Sequence, residues 1–213
     1  MRTDIEKCLA RNDPDLARVI AAVVARIGPQ RIAPSSAKPF EALVRAIVYQ
    51  GVAGTVAASI FNRVKEELSA PLAPSDIAVL HRQFLLNAGL SAAKAGAIQR
   101  LAEWFTANGR CAKALPNLPD DEIIKALTAI PGIGLWTTNV FLIFGLGRLD
   151  VPPAPDLGIR RSVSLTYGLR TIATPTQVLE RSQAWRPYRS IASIYLWKAG
   201  KLKLKSVDLD KGK

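Results

Sequence analysis

Apolar side chains return along almost the whole chain at the spacing of an α-helix. Leu16, Val19, Ile20, Val23, Val24 and Ile27 fall at i, i+3, i+4, i+7, i+8 and i+11, which places them on one face of a helix. Phe40, Leu43, Val44, Ile47 and Val48 repeat that spacing, as do Val56, Ile60, Phe61, Val64 and Leu68. Strict alternation of apolar and polar residues, the mark of a half-buried strand, is nearly absent. The pattern points to an all-α fold of about ten helices.

Local punctuation places those helices. Asn12 or Asp13 can cap the first, with Pro14 in its opening turn and Gly28 at its end. Ser75 can cap a short helix through Leu80, and Ser91 opens one that ends near Gly109, with Ile98, Leu101, Ala102 and Phe105 on one face. Asp120 can cap a helix over 123–129, and further helices are expected at 136–144, 156–165, Pro175–Ser182 and 188–199. Pro and Gly cluster at 28–39 and 145–155. The chain is therefore expected to form a central lobe at 37–148, and a second lobe from 1–36 plus 149–213.

The charge balance narrows the partners. Lys and Arg number 29 against 17 acids, a net +12, and such a field attracts polyanions, nucleic acid above all. From Arg148 onward 13 basic residues face 5 acids, so +8 of the total lies in the last 66 residues. Read alone, that run is as well explained by a solvated face. One histidine, His81, argues against a Ser-His-Asp triad or a His-rich metal centre. Two cysteines, Cys8 and Cys111, are too few for an iron–sulfur cluster or a four-thiolate zinc site. No apolar run reaches membrane-spanning length, and MRTDIEKC carries charges where a signal peptide needs an apolar core. A cytoplasmic, nucleoid-associated location is expected.

The chemistry concentrates between Leu127 and Val163, in LTAIPGIGLWTTNVFLIFGLGRLDVPPAPDLGIRRSV. Helix, Pro131-Gly132-Ile133-Gly134, helix reads as a hairpin whose glycines let a partner's backbone approach. Amides of Gly132 to Trp136 would open the second helix and suit a DNA phosphate, with the Thr137 hydroxyl as a further donor. The same four residues also suit an ordinary corner between helices. Beyond them, Asp150 and Asp156 bracket a proline-rich turn. Either could be a helix cap, or a carboxylate that faces positive charge developing during a reaction.

These segments resemble the helix-hairpin-helix DNA glycosylase superfamily, HhH-GPD, in its alkylbase (3-methyladenine DNA glycosylase II) branch. The resemblance runs from about Pro39 to Gly200, through FEALVRAIVYQGVAGTVAASIFNRV, AGLSAAKAGAIQRLAEW, the hairpin segment and AWRPYRSIASIYLWKAG. It implies a two-lobed helical fold with the active-site cleft between the lobes, and a monomeric enzyme acting on double-stranded DNA with alkylated bases. It puts the catalytic aspartate at Asp156 and a structural acid at Asp150. Trp136 and Trp197 match aromatics of the base pocket, and Gln50, Gly51, Gly132, Ile133, Gly134 and Thr137 match DNA-contacting positions. Trp136 stands where bifunctional members carry a Schiff-base lysine, so base release without a lyase step is implied. No cofactor is required. A monovalent cation, Na or K, could sit on the carbonyls of Thr128, Ile130 and Ile133. The sequence departs at Gly51, where the family usually has a larger residue to fill the gap left by a flipped base.

The residue types fit that chemistry. 3-Methyladenine and 7-methylguanine are cationic and leave readily, so no general acid is needed. What remains is an extruded nucleotide, an electron-rich aromatic surface and an ionised carboxylate beside the sugar. Two other readings use the same scaffold: a glycosylase for deaminated or etheno bases, and a DNA-damage-binding relative without turnover.

Overall fold

A computed structural model describes residues 4–33, 37–68, 72–80 and 82–204. Pro71, His81 and the tail lysines Lys205, Lys211 and Lys213 lie outside them. The described residues form thirteen α-helices, two 3-10 turns and one π-helical turn, without a strand. The all-α expectation holds. The chain divides into two compact units, one of Met1–Ala33 with Arg148–Lys213, the other of Pro34–Gly147.

The first unit opens with α1 (Asp4–Asn12) and α2 (Pro14–Ile27). Asp13, not Asn12, caps α2: its carboxylate accepts the Leu16 amide at 3.0 Å. Leu16, Val19, Ile20 and Val23 are buried, whereas Ile27 is exposed, so the apolar stripe ends a turn before the helix does. A helix of this length is marginal alone in water. Burying each of those side chains is worth about 1.5–3 kcal/mol, so packing rather than propensity holds α2.

The second unit follows: α3 (Pro39–Val48), α4 (Gly54–Leu68), α5 (Pro74–Val79), α6 (Arg82–Asn87), α7 (Ala92–Ala107), α8 (Gly109–Ala114), α9 (Asp120–Thr128) and α10 (Leu135–Val140). A π-helical turn, Phe141–Gly145, continues α10. α3 is buried on nearly every face and packs against α4, α7, α10 and the π turn. Its acidic Glu41, 5% exposed, is paired with Lys65 at 2.9 Å. Ser91 caps α7 as expected, its hydroxyl accepting the Lys94 amide.

Three local expectations are corrected. Val56 is exposed, and Ala57 joins Ile60, Phe61 and Val64 on the buried face of α4. Ser75 does not cap α5; Pro74 sets its first turn, and the Asp76 carboxylate reaches back to the Ala73 amide at 2.9 Å. Asp120 lies inside α9, with Pro119 in the capping position. α7 ends at Ala107 with Asn108 as its cap, near Gly109 as expected, and α8 begins at Gly109.

The chain then returns to the first unit with α11 (Leu157–Thr166), α12 (Pro175–Ser182) and α13 (Arg189–Lys201). Ile159 and Val163 of α11, with Tyr195 and Leu196 of α13 and Trp185 before it, complete the core around α2. The Ser162 hydroxyl donates to the Leu196 carbonyl at 2.9 Å and ties α11 to α13. Two buried acids are satisfied by aromatic donors. Glu6 accepts from the Tyr195 hydroxyl and pairs with Arg31 at 3.1 Å. Asp13 accepts from the Tyr167 hydroxyl and from Trp185 Nε1, the latter at 2.9 Å.

Candidate active site

Within the second unit, α9 and α10 form the hairpin. Its turn is closed by the Ile133 amide donating to the Ile130 carbonyl at 3.0 Å. The Ile130 and Ile133 side chains are buried, while Thr128, Gly132 and Gly134 are exposed. Gly132 has φ +96°, and a Cβ there would lie 2.6 Å from the Ala97 Cβ on α7. Glycine is thus required twice, by its backbone angle and by the close approach of α7. Gly134 precedes α10, whose first-turn amides have no earlier carbonyl of their own helix to bond.

Three long side chains of the same unit hold the neighbouring carbonyls. Gln50 Nε2 donates to Thr137 Oγ1 at 2.7 Å and to the Gly132 carbonyl at 3.1 Å. Arg100 Nε donates to the Pro131 carbonyl at 2.8 Å. Lys94 Nζ donates to the Val48 carbonyl at 2.7 Å, and its burial lowers its pKa. The turn that follows α3 is therefore bonded to the hairpin itself. The sequence suggests a Thr137 hydroxyl offered to a phosphate; in the structure Thr137 is 1% exposed and its Oγ1 accepts from Gln50 instead. Gly51 has φ +61° and no heavy atom within 4 Å of where a Cβ would stand. A left-handed backbone explains why glycine occupies this exposed position. Trp136 lies half-buried in the first turn of α10.

The two acids belong to the first unit and meet different surroundings. Asp150 is held by the guanidinium of Arg189, with Nε 2.7 Å from Oδ1 and Nη2 2.9 Å from Oδ2. Arg186 Nη1 adds a third contact at 3.1 Å. Asp156 caps α11, its Oδ1 accepting the Ile159 amide at 2.8 Å. The same oxygen accepts Trp197 Nε1 at 2.9 Å, from α13. Asp156 is thus a helix cap, its carboxylate fixed at the positive end of α11. The Pro153 carbonyl takes the Asp156 amide at 2.9 Å and sets the turn that leads in. Sequence reasoning had placed Trp197 in the pocket without its bond to Asp156, and had missed Gly158, Lys94 and Arg100. A partner 41 residues downstream leaves no local pattern, whereas the i+3 spacing of Asp156 and Ile159 does.

The match to the HhH-GPD superfamily base excision DNA repair protein family covers residues 44–187. This chain belongs to that superfamily. It is 36% identical over 169 residues to DNA-3-methyladenine glycosylase 1 of Schizosaccharomyces pombe, across 78% of this chain and 74% of that one. A solved structure of the S. pombe 3-methyladenine DNA glycosylase in complex with abasic DNA superposes with a TM-score of 0.81, at 32% identity, over 93% of this chain and 97% of that one. A DNA-3-methyladenine glycosidase from Bacillus halodurans gives a TM-score of 0.74 at 31% identity, over 94% and 93% of the two chains.

Proposed function

We propose that the protein is a monofunctional DNA-3-methyladenine glycosylase, which hydrolyses the N-glycosidic bond of alkylated purines in duplex DNA during base excision repair. The observation that carries the reading is Asp156, capping α11 with one carboxylate oxygen fixed by two donors, in a member of this superfamily. The relatives described above, named as 3-methyladenine glycosylases, supply the substrate class. The target nucleotide is extruded from the helix. As the bond from C1′ to the base nitrogen breaks, its electron pair neutralises the cationic base, which departs. Positive charge grows on the sugar, and the Asp156 carboxylate stabilises it. Water adds to C1′ and gives up its proton to the carboxylate or to solvent, which leaves an abasic site.

The hairpin's first-turn amides are the proposed phosphate contact, with Gly132, Ile133 and Gly134 at the backbone. Gln50 serves by bracing that turn, and Gly51 is exposed beside it. The aromatic roles of Trp136 and Trp197 remain part of the proposal. With tryptophan at 136 there is no amine at that position to form a Schiff base, so no lyase step is proposed. The protein is proposed to act as a monomer on double-stranded DNA, in the cytoplasm at the nucleoid. Neutral carbonyl oxygens at Thr128, Ile130 and Ile133 are suitable donors for Na or K, which would stiffen the hairpin turn.

Single-turnover release of 3-methyladenine from methylated duplex tests the whole reading. Wild type is expected to release base and leave intact abasic strands, with no borohydride-trapped enzyme–DNA adduct. Asp156→Asn is expected to lose release by orders of magnitude while still binding the duplex. Release of only hypoxanthine or ethenoadenine would move the substrate class, and binding without any release would leave a damage-recognition protein.

A further inference from the structure

Trp197 has an apolar face that can stack and one polar atom, and the polar atom is committed. Its Nε1 donates to Asp156 Oδ1 at 2.9 Å, the oxygen that also takes the Ile159 amide at 2.8 Å. The two donors come from different helices. The amide belongs to α11, which Asp156 itself begins, while the indole is carried by α13. Those helices are locked next to this point by the buried Ser162–Leu196 hydrogen bond, one residue before the tryptophan. A capping bond alone leaves a carboxylate able to rotate about its side-chain torsions. A second donor to the same oxygen, on a rigid neighbouring helix, removes that freedom.

Gly158 is the independent sign that this pairing is close-packed. A Cβ there would stand 3.0 Å from Asp156 Oδ1 and 3.4 Å from Trp197 Cδ1. Gly158 lies in the first turn of α11 with an ordinary helical backbone, and no positive φ calls for glycine. Alanine would favour the helix there. The space is kept for the carboxylate and the indole.

We infer that Trp197 is a positioning residue for the Asp156 carboxylate: its indole N–H, with the gap at Gly158, fixes the orientation of the group that stabilises the sugar. The inference rests on the proposed catalytic role of Asp156. It gives the tryptophan a task separate from stacking on a base, and the two tasks respond to different substitutions.

The N–H can be removed while the aromatic surface stays. Trp197→Phe does so with loss of ring area, and 3-benzothienylalanine at position 197, with sulfur in place of N–H, does so at nearly constant shape. Single-turnover release of 3-methyladenine and the Kd for a tetrahydrofuran abasic duplex are measured for both, with Gly158→Ala and Asp156→Asn alongside. Both N–H-less variants are expected to lose about 10- to 100-fold in release rate, the range of one hydrogen bond to a charged group. The Kd for the abasic duplex stays at the wild-type value. Gly158→Ala is expected to stay folded and yet release base more slowly.

Wild-type release by the benzothienylalanine protein, or a loss of duplex affinity equal to the loss of rate, overturns the positioning role. So does wild-type release by Gly158→Ala. Should Trp197→Phe fail to fold, the isosteric variant decides. An inactive Asp156→Asn beside fully active N–H-less variants sinks this inference alone, whereas an active Asp156→Asn sinks the catalytic reading beneath it.

Discussion

Asp150 spends both carboxylate oxygens on the guanidinium groups of Arg186 and Arg189, while Asp156 gives Oδ1 to an amide and an indole. Charge matters to each for a different reason. In Asp150→Asn the arginines keep an acceptor but lose its charge, so stability should fall by roughly 1–3 kcal/mol, a melting shift of about 2–4 °C per kcal/mol for a chain of this size. Its folded fraction should release base at the wild-type rate. Asp156→Asn keeps the cap geometry, so thermal melts should find it near wild type even though its base release is expected to be lost. A stable, inactive Asp150→Asn would exchange the two roles. Tyr195 offers a check on the core. Burial above all raises the hydroxyl's pKa to about 12; the Gln30 amide opposes it next, the bond to Glu6 and its charge add to it, and Arg31 opposes least. A raised folded value means stability that is complete below the ordinary tyrosine range near 10 and is lost as pH rises through about 12. Melts taken from pH 9 to 12 should fall more steeply in wild type than in Tyr195→Phe.

Among the elements, the hairpin has least room for change. Gly132→Ala meets both a positive φ and the Ala97 methyl at 2.6 Å, and should cost roughly 2–4 kcal/mol. Adding Ala97→Gly removes the contact but leaves the backbone angle, so denaturant melts should recover only part of the loss. Full recovery would show that the angle costs nothing. The sequence made such a turn visible because Pro-Gly-Ile-Gly is local. It made α2 and α7 visible for the same reason, through Asp13, Ser91 and apolar stripes. It hid α1, whose stripe is broken by charges in DIEKCLARN, and α6 and α8, which have six residues each and so too few turns to show a period. It also hid every bond that joins distant segments: Gln50 to Thr137, Arg189 to Asp150, Trp197 to Asp156. Those depend on packing, which no window of neighbouring residues contains. Asp156 was legible as a cap from its spacing, while its proposed catalytic role rests on resemblance.

At the scale of the whole molecule, the 29 Lys and Arg overstate how many cations are available to DNA. Arg186 and Arg189 are spent on Asp150, Arg160 on the Ala173 carbonyl at 2.6 Å, and Arg181 lies over the Tyr167 ring. Binding to undamaged duplex should still weaken with salt, by about 0.9 log unit per contacted phosphate for each tenfold rise. The slope should fall well short of the count of basic residues. A flat plot of log K against log salt would remove DNA as the partner. The division of the chain carries one more consequence. The unit made from Met1–Ala33 and Arg148–Lys213 is interrupted by the whole of Pro34–Gly147. During synthesis α1 and α2 leave the ribosome without α11 and α13, and at 5–20 residues per second they wait roughly ten seconds for them. For that interval Leu16, Val19, Ile20 and Val23 have no core to enter, so the nascent chain displays this apolar stripe to the cell's chaperones before the finished protein hides it.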